Sequence, residues 1–219
     1  NLLLLNVSLG VIMFGVALQL TIQDFRRLFS TPRPVLVGVV AQFLLLPALT
    51  FLLVWSLRPP PSIGLGMILV AACPGGNISN FMSMNAGGNT ALSITLTAVS
   101  TVGAVVLTPL NLSLWGGLYE PASALLATVD VSFANVLRTV TLILGIPLVL
   151  GMGLRHWAEE RAKRLSRWIH PLSIVLFAAI VVAALRANFQ YLIGYLDAVF
   201  GLVLIHNGAA LAAGYQLAF

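Results

Sequence analysis

Apolar residues in this chain fall into long runs, and seven of them are close to the roughly 20 residues a helix needs to cross a bilayer. They are Leu2 to Leu20, Val35 to Ser56, Ile63 to Asn85, Asn89 to Trp115, Asn135 to Gly153, Pro171 to Ala187 and Leu192 to Phe219. The third run is broken in its middle by Cys73-Pro74-Gly75-Gly76-Asn77-Ile78-Ser79-Asn80. Proline removes a backbone donor and clashes with the preceding turn, and two glycines release the restraint on φ. Backbone inside hydrocarbon must satisfy its own N–H and C=O groups, so an interrupted helix persists only where protein or a polar cavity surrounds it. The pattern therefore predicts an all-α integral membrane protein with a solute or ion site at the break.

Composition agrees. Of 219 residues, 59% are hydrophobic and 8% charged, with a mean hydropathy of +1.02; a soluble domain carries about 25% charged residues. The net charge of +5 sits in short loops, so no concentrated basic surface exists for nucleic acid. A single cysteine, Cys73, excludes a disulfide within the chain. The motifs HExxH, GxSxG, Walker A and GxGxxG are absent, and no carboxylate pair or metal-ligating cluster suggests an enzyme.

Basic residues orient the spans. Arg26, Arg27 and Arg33 follow the first run, and Arg155, Arg161, Lys163, Arg164 and Arg167 follow the fifth. The opposite side holds only Arg58 and Arg186, and Arg138 opens the fifth run. The chain is expected to start outside and end inside, as a fragment cut within or beside membrane segments at both ends. Thr21 to Pro34 and Ala158 to His170 mix basic and apolar residues, which predicts interfacial helices with snorkelling arginines and Trp at headgroup depth. A lipid-binding role is the sharper reading of the same segments.

From Pro59 to Tyr119 the chain has no charged residue and no histidine, yet small polar residues crowd there. Ser and Thr mediate helix packing in membranes. An amide, with four hydrogen-bonding sites, is harder to explain that way. Ser93 and Thr97 stand at i and i+4 on one helix face. A tight turn at Gly87-Gly88 folds that face back towards Ser79 and Asn80. Hydroxyl and amide oxygens, with carbonyls freed at a helix break, suit a hard cation, so these four side chains form a candidate sodium site of neutral ligands. Its counter-charge must come from elsewhere, since Asp24, Glu120, Asp130 and Asp197 lie near loops. Gln42 in the second run fits either site membership or helix–helix hydrogen bonding. His206-Asn207-Gly208 in the last run fits a proton relay, a substrate contact or packing. Pro47, Pro109 and Pro147 read as kinks.

The chain resembles the bile acid:sodium symporter family in its bacterial-type members. The resemblance rests on Gly10-Val11-Ile12-Met13-Phe14-Gly15 running on to Asp24-Phe25, on Ala41-Gln42-Phe43-Leu44-Leu45-Leu46-Pro47, and on Cys73 to Asn80. Gly88-Asn89-Thr90-Ala91-Leu92-Ser93, Thr97-Ala98-Val99-Ser100-Thr101 and His206-Asn207-Gly208 complete it. It implies a ten-helix fold of two inverted repeats with a panel and a core domain, of which this chain holds the second to the eighth helix. Core helices would cover about 62–115 and 192–219, and panel or connecting helices the remainder. It implies that Ser79, Asn80, Ser93 and Thr97 ligate one sodium ion and that Gln42 belongs to a second site. The family's essential glutamate and neighbouring glutamine would lie beyond Phe219.

Asn77 replaces a threonine found near the substrate in bile-acid-transporting bacterial members, and Ala86-Gly87-Gly88 lacks a basic residue common there. The implied substrate is thus an organic anion, bile-acid-like or another carboxylate or sulfonate, with Asn77, His206 and Asn207 as candidate contacts. The expected activity is sodium-coupled symport in a bacterial inner membrane. A proton-driven or uncoupled carrier of the same fold is the alternative. A seven-helix receptor is a further one, but it gives no reason for the break.

Overall fold

The computed structural model describes residues 2–30, 32–122 and 133–217, and they are almost entirely helical, with no strand among them. In chain order the helices are α1 (Leu2–Ala17), α2 (Ile22–Ser30), α3 (Pro32–Leu57), α4 (Pro61–Ala72), α5 (Asn77–Asn85), α6 (Thr90–Leu118), α7 (Ala134–Trp157), α8 (Glu159–Ala187) and α9 (Phe189–Leu217). Five of these, α3 and α6 to α9, contain stretches long and apolar enough to cross a bilayer unaided. The shorter α1 is mostly apolar, with Asn6 and Ser8 its polar residues. Numerous large apolar side chains are exposed, among them Leu36, Val70, Val149 and Leu211, which in water would be an aggregation surface and in lipid is the expected exterior. The protein is a multi-pass integral membrane protein.

At about 1.5 Å per residue, the 12 residues of α4 rise only about 18 Å and the 9 of α5 about 13 Å. Neither spans a hydrocarbon core of roughly 30 Å, so the third crossing needs both pieces. Cys73 is extended at φ −84°, ψ 144°, the conformation imposed on a residue before proline. Pro61 opens α4, where a missing N–H costs nothing. Arg58 closes α3 in a left-handed conformation (φ 45°) ahead of Pro59-Pro60-Pro61.

Pro47 and Pro147 do more than kink. Each follows a five-residue π-helical segment, Ala41–Leu45 and Thr141–Gly145, in which the N–H of Leu46 bonds the Ala41 carbonyl and that of Ile146 the Thr141 carbonyl. A proline ring collides with the carbonyl four residues back, here Phe43 and Ile143. The wider turn centred on those residues gives the ring room and lets the helix continue. A second difference concerns Ala158 to His170. Instead of a separate interfacial helix, this stretch is the first half of α8, one continuous helix of 29 residues passing through Pro171. With no glycine beside it, Pro171 removes one hydrogen bond without ending the helix.

The chain forms two compact units. The first holds residues 1–23 and 138–197, with α1 packed on α7 and α8. Its helices approach through small residues, as membrane helices do: a Cβ at Gly151 would lie 2.5 Å from Ala17 Cβ and 3.0 Å from the Phe14 carbonyl oxygen. The second holds residues 24–137 and 198–219. Its apolar centre is Val54, Met67, Ile68 and Tyr119, and the Tyr119 hydroxyl donates to the Pro59 carbonyl at 3.2 Å. Helix α3 lies in the same unit as the broken helix and α6.

Candidate functional site

The tight reversal between α5 and α6 is made by glycine chemistry. Gly87 has φ +67°, open to glycine at no steric cost, and the Gly88 N–H returns to the Ser83 carbonyl at 2.8 Å. Asn89 then caps α6, its Oδ1 accepting from the Leu92 N–H at 3.0 Å. An asparagine that packing did not explain is therefore a helix cap, a role legible in Asn89-Thr90 ahead of an apolar run.

That reversal brings α5 against the start of α6. Asn80 Oδ1 accepts two hydrogen bonds, from Ser93 Oγ at 2.7 Å and from Thr97 Oγ1 at 3.1 Å. Thr97 is buried and the other two are half-buried. Three side-chain oxygens from two helices thus converge one turn into α5. The Ser79 hydroxyl does not join them by hydrogen bond; it donates to the Gly76 carbonyl at 2.7 Å.

The other side of the break is tied to neighbouring helices. Gln42 Nε2, in the π-helical turn of α3, donates to the Cys73 carbonyl at 2.9 Å. Thr108 Oγ1 on α6 donates to the Ala72 carbonyl at 2.7 Å. These carbonyls lose their helical partners because the chain leaves the helix at Pro74, and two long-range side chains replace them. Gln42 keeps its Oε1 as a further acceptor. Thr108, indistinguishable by sequence from the packing threonines around it, is part of the same scaffold.

His206 lies 2.8 Å by its Nε2 from Thr50 Oγ1, across α9 and α3. Thr50 Oγ1 spends its one proton on the Leu46 carbonyl at 2.7 Å, so it accepts from His206, and the ring proton stands on Nε2. Asn207 is exposed. No hydrogen bond joins either residue to Asn80, Ser93 or Thr97 among the described residues. The side chain of Asn77, like that of Asp197, and the whole of Asp130 lie outside what the structure describes.

The donor set is chemically narrow. It consists of hydroxyl, amide and carbonyl oxygens, hard and neutral, which suit a hard monovalent cation better than a transition metal. No group of three or more His, Cys, Asp or Glu that could hold a metal ion occurs among the described residues.

Comparison with known proteins is decisive on descent. A profile of the Sodium Bile acid symporter family matches residues 6–195. The chain belongs to this family. It is 34% identical over 215 residues to an uncharacterized sodium-dependent transporter, YocS, of Bacillus subtilis, covering 98% of this chain and 63% of the relative. A probable sodium/metabolite cotransporter of rice chloroplasts, BASS2, is 34% identical over 83% of this chain and 41% of its own length. Rat sodium/bile acid cotransporter 5 is 30% identical over 87% and 42%. The chain thus spans less than two thirds of the relatives it matches. They are named as transporters, and the break, the turn and the Asn80 cluster all fall within the matched residues.

Proposed function

We propose that the protein is a sodium-coupled secondary transporter of a small organic anion, working by alternating access. The observation that carries this reading is the convergence of Asn80, Ser93 and Thr97 beside a helix broken inside the membrane. A broken crossing exposes carbonyls and helix ends where an ion can replace the missing backbone partners. Sodium would be held there by Asn80 Oδ1 with the two hydroxyls turned to offer lone pairs, and by Ser79 once its hydroxyl leaves Gly76. Gln42, anchored by its nitrogen on Cys73, offers Oε1 to a second ion. None of these oxygens belongs to a carboxylate, and a lone cation in low dielectric is costly, so this reading calls for a counter-charge from elsewhere in the protein.

The organic anion would meet the N-terminal end of α5, whose dipole favours negative charge, with Asn77, His206 and Asn207 as its candidate contacts. In this reading the unit built on α3 to α6 and the greater part of α9 is the ion-carrying core, and that of α1, α7 and α8 is the panel. The core so defined takes in residues 62–115 and, of the expected 192–219, residues 198–219, and it extends to α3, whose Gln42 bonds the Cys73 carbonyl at the break. The similarity to the Bacillus relative favours a bacterial plasma membrane.

Uptake of a radiolabelled organic anion by the full-length protein in proteoliposomes tests the coupling. Transport in an inward sodium gradient that stops when choline replaces sodium supports it. Transport that persists in choline and follows an imposed proton gradient instead would establish the proton-driven alternative.

A further inference from the structure

Basic residues on the inner side of the first unit are gathered around a cavity. The end of α1, the end of α7 and the first half of α8 enclose an open space of about 540 Å³, within the 300–1,000 Å³ usual for small-molecule sites. Gln19, Arg155, Lys163, Ser166, Arg167 and His170 supply its polar lining, and no carboxylate lines it among the described residues. Glu159 lies outside the lining, 3.0 Å from Lys163 and 3.6 Å from Arg155, and Glu160 is 3.1 Å from Lys163. Arg167 has no ion pair among the described residues. The Arg155 side chain is only 18% exposed, yet its carboxylate partner stands at the long end of ion-pair distance. The Gln19 amide nitrogen can only donate, so His170 Nδ1, 2.9 Å away, accepts and the ring proton stands on Nε2 as one more donor.

The level of this cavity in the membrane is marked by Trp157 and Trp168, 86% and 76% exposed, since exposed tryptophans settle at headgroup depth. Beyond Pro171, on the cavity wall, α8 turns apolar, and Leu172, Ile174 and Val175 are exposed below the basic residues. A cationic pocket above an apolar helix flank matches an amphiphile with an anionic head.

We propose that this cavity binds the phosphate diester of an anionic lipid headgroup in the inner leaflet. Arg155 and Arg167 offer paired N–H donors to its oxygens and Lys163 a compact charge, while the acyl chains follow the exposed flank of α8. Free phosphate presents the same oxygens but leaves that flank uncovered. The proposal stands independently of the transport reading.

Native mass spectrometry and thermal melting of the full-length protein in detergent test it, with phosphatidylglycerol, phosphatidylcholine or inorganic phosphate added at equal concentration. Phosphatidylglycerol is expected to remain bound and raise the melting temperature, and the other two are not. With about 1 kcal/mol per basic residue at an anionic surface, Arg155→Gln with Arg167→Gln should weaken phosphatidylglycerol binding about thirty-fold. Arg26→Gln, a basic residue outside the cavity lining, should leave it unchanged. Should the half-buried Arg155 prove necessary for folding, Lys163→Gln with Arg167→Gln, both exposed, carries the same expectation. Equal retention of phosphatidylcholine, or phosphatidylglycerol binding that survives the substitutions, would overturn the site. A rise with inorganic phosphate equal to that with phosphatidylglycerol would overturn the lipid assignment.

Discussion

Asn80 Oδ1 and Ser93 Oγ meet at 2.7 Å across the glycine turn between α5 and α6. The pair closes a loop of residues that contains no charge, so its polarity is carried by neutral groups alone. Because Thr97 donates to the same oxygen from one turn further along α6, Asn80 acts as a shared acceptor and fixes the distance between the two helices. If the proposed site holds a cation, turning the Ser93 and Thr97 hydroxyls would present three oxygens to it.

The carbonyls at the end of α4 depend on side chains far away in sequence. Thr108→Val keeps the shape of the side chain and removes the donor to Ala72. Gln42→Leu does the same for Cys73. Each should lower stability by about 0.5–2 kcal/mol, the range for side-chain hydrogen bonds in membranes and for stranded buried acceptors. Thermal melting of the full-length protein in detergent checks this. Ser56→Ala is the control, because its exposed hydroxyl only returns to the Leu52 carbonyl of its own helix; its loss should be near neutral.

Glycine substitutions should rank by what their new Cβ meets. At Gly151 it would press on Ala17 Cβ and the Phe14 backbone, neither of which can step aside. Gly151→Ala should therefore cost about 1–3 kcal/mol, as overpacking does. At Gly38 the obstacle is the flexible end of Leu96, so Gly38→Ala should cost less. At Gly66 nothing lies within 4 Å, and Gly66→Ala should stabilise α4 by up to about 1 kcal/mol. Melting temperatures in any other order would contradict the packing described.

Asn89 makes a separable prediction. Asn89→Ala should cost about 0.5–2 kcal/mol by removing the cap of α6, whereas Asn89→Asp should retain it and gain from the helix dipole. Sodium affinity should be little changed in the aspartate variant, because the cap does not touch Asn80. A loss of sodium response in Asn89→Asp with stability intact would place Asn89 in the ion site instead.

Much of this was legible in the sequence because the signals are local. Pro74 with two glycines inside an apolar run marked the break, Ser93 and Thr97 at i, i+4 marked one helix face, and Gly87-Gly88 marked the reversal that brings Asn80 to them. What the sequence did not disclose is long-range or cooperative. Nothing in the spacing pairs Gln42 with Cys73, Thr108 with Ala72, or Thr50 with His206, since periodicity names a face and not its partner. The π-helical turns before Pro47 and Pro147 were hidden because a proline kink and a proline-relieving bulge share one sequence signature. The continuity of α8 was missed because the change from basic to apolar at Pro171 looks like a boundary, although one lost hydrogen bond does not end a helix.

The measurement that bears most directly on the ion site is the melting temperature of the full-length protein in detergent. Na⁺ is titrated against K⁺ at constant ionic strength, with Asn80→Ala alongside. A ligand bound only by the folded state stabilises it by about 2.7 kcal/mol at one hundred times its Kd. The account predicts a rise specific to Na⁺ that Asn80→Ala abolishes. Equal melting in Na⁺ and K⁺, or a Na⁺ response that Asn80→Ala retains, would contradict it.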